Sequence, residues 1–152
     1  MELKELNQRP SPLQDNKANL AFRQFEKLRS EVQHRALSEE VKEAINQEIE
    51  QINQHTGSEK QLLKLCRTAQ TKLLRMLEKQ HKLVSKHHYR TTWMMLGMGA
   101  FGVPLGVAFG LSLKNMGLMG VGIPIGMVIG MSMGANMDKK ALAEGRQLDL
   151  EV

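Results

Sequence analysis

Gly102-Val-Pro-Leu-Gly-Val-Ala-Phe-Gly-Leu-Ser112 and Gly122-Ile-Pro-Ile-Gly-Met-Val-Ile-Gly-Met-Ser132 are one pattern written twice, 20 residues apart. The glycines, the proline and the serine coincide, and Gly97 matches Gly117 in the same register. From Thr91 to Met137 the one ionisable side chain is Lys114, which lies between the copies. About 20 apolar residues suffice to cross a hydrocarbon core as helix. The pattern therefore predicts a transmembrane glycine-zipper hairpin over 91–137, with spans at 92–113 and 116–137 and a turn at Lys114-Asn115. A soluble buried hairpin is the competing reading, but a polar segment of 90 residues is poorly sized to cover so much apolar surface.

Folding the chain at that turn pairs the glycines by depth: Gly110 with Gly120, Gly106 with Gly122, Gly102 with Gly126, and Gly99 with Gly130. Pro104 and Pro124 also match, close to mid-span. Lipid supplies no hydrophobic drive for helix association, so close approach along small residues is the expected packing device. Gly99, Gly102, Gly106 and Gly110 form one stripe, and Gly122, Gly126, Gly130 and Gly134 another, free to meet the partner helix or a second subunit. Each proline removes a helix hydrogen bond, so matched bends are expected at that level.

The flanks carry the orientation. Tyr89 and Trp93 sit where interfacial aromatic anchors belong, Lys82, Lys86 and Arg90 precede the first span, and Lys139 and Lys140 follow the second. Lipid headgroups are the expected neighbours of these seven side chains. The positive-inside rule places both termini in the cytoplasm and the turn outside. The start of the chain has no apolar run of the kind found in secretory signals.

Ahead of the hairpin the chemistry is different. Residues 1–90 hold 17 Lys/Arg and 12 Asp/Glu. Residues 1–16, with Pro10 and Pro12 and no apolar periodicity, read as a flexible arm. Residues 17–90 read as a cytoplasmic helical region. Ala21, Phe25, Leu28, Val32 and Ala36 follow helical spacing over about Asn16 to Ala36. Ser38 ahead of Glu39 and Glu40 is an N-cap signal for a second helix carrying Val41, Ala44, Ile45, Ile49 and Ile52. Gly57 closes that helix, and Ser58 with Gln61 forms a capping box for a third. Since neither Gly nor Pro occurs from Glu59 to Leu96, the third helix is expected to run unbroken into the membrane. Its face from Lys60 to Arg90 holds nine basic residues against one acid, a net of +8. Glu39, Glu43 and Glu50 of the second helix are expected to neutralise part of it. The lone Cys66 lies on the apolar side, as a small buried hydrophobe.

With Trp93, the paired Gly-x-Pro-x-Gly-x-x-x-Gly units and the tail Met137-Asp-Lys-Lys-Ala-Leu-Ala-Glu-Gly-Arg-Gln-Leu148, the segment from Tyr89 to Leu150 resembles small, largely uncharacterised bacterial membrane proteins with glycine-zipper hairpins. The resemblance covers the last two-fifths of the chain and implies a bacterial membrane protein. It transfers no activity.

No phosphate-binding glycine loop, zinc spacing or nucleophile motif is present, so no catalytic residue, metal ligand or cofactor is expected and the chain does not read as an enzyme. His81, His87 and His88 read as solvated juxtamembrane residues. The expected fold class is all-α: a cytoplasmic helical bundle or hairpin, a two-helix transmembrane hairpin, and a cytoplasmic tail at 138–152. The leading functional expectation is a self-associating membrane protein, a homo-oligomer forming a pore or a scaffold. A membrane-anchored adaptor is the alternative, with residues 60–90 binding anionic lipid or a cytoplasmic protein. Nucleic acid is a poor candidate, because the basic stripe lacks interleaved aromatics and a recognised binding fold.

Overall fold

The computed structural model describes residues 2–7 and 15–151. Helix is the regular structure nearly throughout: α1 (Asn16–Gln33), α2 (Glu39–Gln54), α3 (Glu59–His81), α4 (His88–Gly97), α5 (Val103–Ser112) and α6 (Gly122–Ala143). A π-helical turn, Met98–Gly102, joins α4 to α5, and a 3-10 segment, Met116–Val121, precedes α6. Two short strands, β1 (Val84–Ser85) and β2 (Gln147–Leu148), pair in a two-stranded sheet. The described residues divide into two units, one running to Val84 and adding Leu148–Leu150, the other covering Ser85–Gln147 and Glu151.

In the first unit α1 and α2 pack on α3. The side chains at helical spacing are the ones buried: Phe25, Leu28 and Val32 of α1, Ile45, Ile49 and Ile52 of α2, and Leu62, Cys66, Leu73 and Leu77 of α3. Each large apolar side chain removed from water contributes about 1.5–3 kcal/mol, which is what holds three marginal helices together. Leu148 and Leu150, from beyond the hairpin, lie in the same core.

The caps explain where these helices start. Asp15 accepts the Lys17 N–H at the head of α1. Ser58 and Gln61 form the reciprocal capping box of α3. Ser38 is the N-cap residue of α2, but its hydroxyl donates to Gln80 Oε1 rather than capping. Helix α1 stops at Gln33, short of the expected Ala36, and the connection buries Leu37 instead.

Acids of α2 meet α3, through different residues than the charge pattern indicates. Glu48, 6% exposed, takes Lys72 Nζ at 2.6 Å, and Glu40 accepts from Gln80 at 3.1 Å. Glu50 pairs with Lys4, and Glu39 with Lys42 within α2. The Lys42 ammonium donates to Glu39 and lowers its carboxyl pKa below the ordinary value. Of the expected arm 1–16, residue 1 and residues 8–14 lie outside the described residues, whereas 2–7 lie along α2, without regular secondary structure, hydrogen-bonded to Asn46 and Asn53.

The third helix does not run unbroken into the hairpin. Lys82 adopts a left-handed conformation (φ 55°), its N–H returning to Glu78 O while Leu83 N–H returns to Leu77 O. His87, also left-handed (φ 58°), precedes α4. Glycine is the usual residue at such a stop, since other L-residues spend about 1–2 kcal/mol there. That is why a segment without Gly or Pro looks continuous when it is not.

In the second unit α4, the π turn and α5 run antiparallel to α6. The two stretches long and apolar enough to cross a membrane are His88–Ser112 and Met116–Ala143. At the tip Lys114 is left-handed (φ 49°), and Asn115 Oδ1 accepts the Gly117 N–H to cap the 3-10 segment. Gly145 (φ 68°) ends α6, where Arg146 N–H returns to Ala141 O.

Candidate functional site: the glycine seam and its polar end

The seam is built by backbones in contact. A Cβ added to Gly126 would lie 2.7 Å from Gly102 Cα, and one on Gly122 would lie 2.6 Å from Gly106 Cα. A Cβ on Gly97 meets Gly130 Cα at 2.9 Å, one on Gly130 meets Met94 Cα at 3.1 Å, and one on Gly134 meets Arg90 N at 2.7 Å. These separations admit a hydrogen atom and no side chain. Gly110 faces the Met119 side chain, with a would-be Cβ 2.7 Å from its Cγ. Gly99 and Gly120 have open space where a Cβ would go.

The π turn sets which glycines of the first strand of the hairpin reach the seam. Tyr89, Trp93 and Gly97 follow at four-residue steps, then five residues separate Gly97 from Gly102, and four-residue steps resume at Gly106 and Gly110. The extra residue is absorbed where Val103 N–H bonds Met98 O, five positions back. Gly99 is thereby rotated off the stripe, and Gly97 takes its place. A widened turn also gives the Pro104 ring room against the preceding carbonyls. Pro124 is accommodated differently. It lies in the first turn of α6, directly after the 3-10 segment. Two identical Gly-x-Pro motifs thus enter their helices through a π turn and a 3-10 segment respectively.

Outside the seam the hairpin is apolar and uncovered. Leu111 is 64% exposed and Val128 61%, and Leu96, Phe101, Val103, Ile123 and Met133 also face outward. Only 22% and 17% of the two apolar windows are buried. The small residues are inside and the large apolar ones outside, the reverse of a water-soluble helix pair. The Ser132 hydroxyl donates to Val128 O of its own helix, so it is satisfied without a neighbour.

The open end of the hairpin is closed by one carboxylate. Asp138 of α6, 7% exposed, accepts Tyr89 N–H on Oδ1 and Arg90 N–H on Oδ2, both at 3.0 Å. The first amides of α4 have no partner in their own helix, and a negative charge suits that end of the dipole. His87, the residue before α4, has no side-chain hydrogen bond to offer as cap. Asp138 therefore does from the opposite helix what an N-cap does locally, and it fixes the register of α4 against α6. Arg146 donates to Glu144 and to Tyr89, which raises its pKa.

Of the flanking residues, Tyr89 and Trp93 are half-buried at the seam, with the Tyr89 ring edge-on to His88. Arg90 is exposed and reaches Met131 Sδ with its guanidinium. Lys82 and Lys86 bracket β1, Lys139 is exposed, and Lys140 approaches Glu144 at 3.9 Å. On α3, Arg67, Thr68, Thr71, Lys72, Arg75 and Met76 line an open groove within the basic stripe. Among the described residues there is no cluster of His, Cys, Asp or Glu that would hold a metal.

Gly97 and Asp138 escape the pairing by depth, although the repeat sets Gly97 in register with Gly117. Gly97 is out of step with the stripe until the π turn is known, though its four-residue spacing from Tyr89 and Trp93 is a usable sign. Asp138 reads as the first residue of a charged tail. In comparisons with known proteins, no protein-family model, no curated protein and no solved structure matches this chain.

Proposed function

We propose that this chain is a self-associating integral membrane scaffold. Its hairpin crosses a bacterial inner membrane twice, with the first unit and both termini on the cytoplasmic side. The observation that carries the reading is the inverted packing of the hairpin: glycines face each other and large apolar side chains face outward with nothing over them. Lipid is the covering that such a surface accepts. The return of Leu148 and Leu150 to the core of the first unit supports placing both hairpin ends on one side of the bilayer. Lys82, Lys86, Lys139 and Lys140 favour the cytoplasmic side.

Most of the glycine seam is consumed within one chain. What remains for a neighbouring copy is the outward surface, including the open positions at Gly99 and Gly120. That distribution favours a scaffold over a pore, since no ring of polar side chains is left to line a path. The adaptor reading keeps one observation in its favour, the open basic groove on α3 around Arg67 and Arg75.

Alkaline carbonate extraction is the first test: the protein is expected in the pellet, and release of intact chain into the supernatant refutes membrane integration. Mass determination in nanodiscs is the second. A multimer is expected, and a monomer at all protein-to-lipid ratios removes self-association.

A further inference from the structure

Residues 2–7 are held on α2 by two asparagines that do the same thing twice. Asn46 donates to Glu2 O at 3.1 Å and accepts Lys4 N–H at 2.7 Å, so its amide brackets Leu3. Asn53 donates to Glu5 O and accepts Asn7 N–H, both at 2.9 Å, so its amide brackets Leu6. Leu3 and Leu6 pack against the core of the unit. The spacing is commensurate. Seven residues of α-helix separate the asparagines by about 10.5 Å. Three residues make one turn of a polyproline-II chain, which would separate the leucines by about 9 Å and keep both on one face.

These bonds read backbone, so they are indifferent to the side chains between the leucines. One further contact adds selectivity, Lys4 Nζ meeting Glu50 at 2.9 Å, while Arg29 Nε donates to Lys4 O at 2.7 Å and again reads backbone. With residues 2–7 in place Asn46 is 3% exposed, so its amide is both covered and satisfied by the segment. The surface is thus a receptor for a Leu-basic-x-Leu segment, and the occupant it shows is the chain's own.

We propose that this groove is an exchange site, filled in the assembly by residues 2–7 of a second copy of this chain. Every contact of the swapped form already exists in the single-chain form, so exchange requires no new interface. Copies gathered in one membrane raise the local concentration of the competing segment. The proposal rests on the self-association reading given above.

The test uses full-length protein in nanodiscs, with the buried Cys66 left in place. A Lys4→Cys chain is mixed with a Glu50→Cys chain of different mass and exposed to mild oxidant. A disulfide-linked heterodimer is expected. Its yield should drop about tenfold or more when the Glu50→Cys chain also carries Asn46→Ala and Asn53→Ala, which remove all four bonds. An intramolecular cross-link in the Lys4→Cys/Glu50→Cys chain, with no heterodimer in the mixture, overturns the exchange. So does an equal yield with Arg67→Cys, an exposed position on α3, because that reports collision only. No cross-link of either kind also overturns it, since residues 2–7 would then not occupy the groove. Nanodisc mass on the same samples separates the two readings: a multimer without heterodimer cross-linking removes the exchange alone, and a monomer removes both.

Discussion

Adding one methyl group at Gly126 and one at Gly99 should have opposite effects on the same hairpin. At Gly126 the new carbon would lie 2.7 Å from Gly102 Cα and closer still to the Gly97 carbonyl and the Gly102 amide. Carbon atoms pack at about 3.5–4.0 Å, so α6 must retreat by about an ångström, and neighbouring seam contacts loosen with it. Overpacking of this kind costs about 1–3 kcal/mol. Alanine returns about 0.5–1 kcal/mol of helix propensity, leaving a net loss of up to about 2.5 kcal/mol. At Gly99 a Cβ meets nothing within 4 Å, so the propensity gain stands alone. The assay is reversible unfolding of the hairpin in mixed detergent micelles, followed by energy transfer between labels near Tyr89 and Lys139. Gly126→Ala should unfold earlier than the parent protein, and Gly99→Ala at the same point or later. Equal destabilisation at both sites would mean that the seam is not where the backbones meet, and the π turn would lose its role in selecting Gly97 over Gly99.

Removing the Asp138 carboxylate with Asp138→Ala leaves two amides at the head of α4 unpaired and should cost about 1–3 kcal/mol in the same assay, with Asp138→Asn in between. Lys82→Gly relieves a left-handed lysine and should raise the thermal midpoint of the first unit, by up to about 1 kcal/mol after allowing for the greater freedom of glycine in the unfolded chain. Lys72→Ala strands the Glu48 carboxylate, 6% exposed, and should cost about 1–3 kcal/mol; a change within error in urea titration contradicts a structural role for the pair. Ile49→Ala empties a fully buried position and should cost about 2–5 kcal/mol, read as a lower urea midpoint.

Much of the architecture was legible because it rests on local chemistry. The capping box at Ser58 and Gln61, the apolar spacing of Phe25, Leu28 and Val32, and the turn at Lys114-Asn115 each announce themselves within a few residues. Counting outward from that turn pairs Gly106 with Gly122 and Gly102 with Gly126, and the structure brings both pairs together. Depth counting fails beside the turn, where Gly110 meets Met119 and Gly120 faces open space, and again at Gly99, because one inserted residue in the π turn shifts everything beyond it. The break between α3 and α4 was hidden by left-handed Lys82 and His87, a conformation their residue types do not advertise. Asn46, Asn53 and Asp138 were illegible for another reason. Their partners are main-chain amides and carbonyls 42 to 49 residues away, and a backbone group leaves no mark in a sequence.

Leu148 and Leu150 belong to the same core as Phe25 and Ile49, although the whole hairpin separates them in the chain. During synthesis, then, the three helices emerge before two of the residues that complete their core. Leu148 and Leu150 reach it only after the whole apolar stretch has been made, so this small core is finished last by residues far from the helices that form most of it.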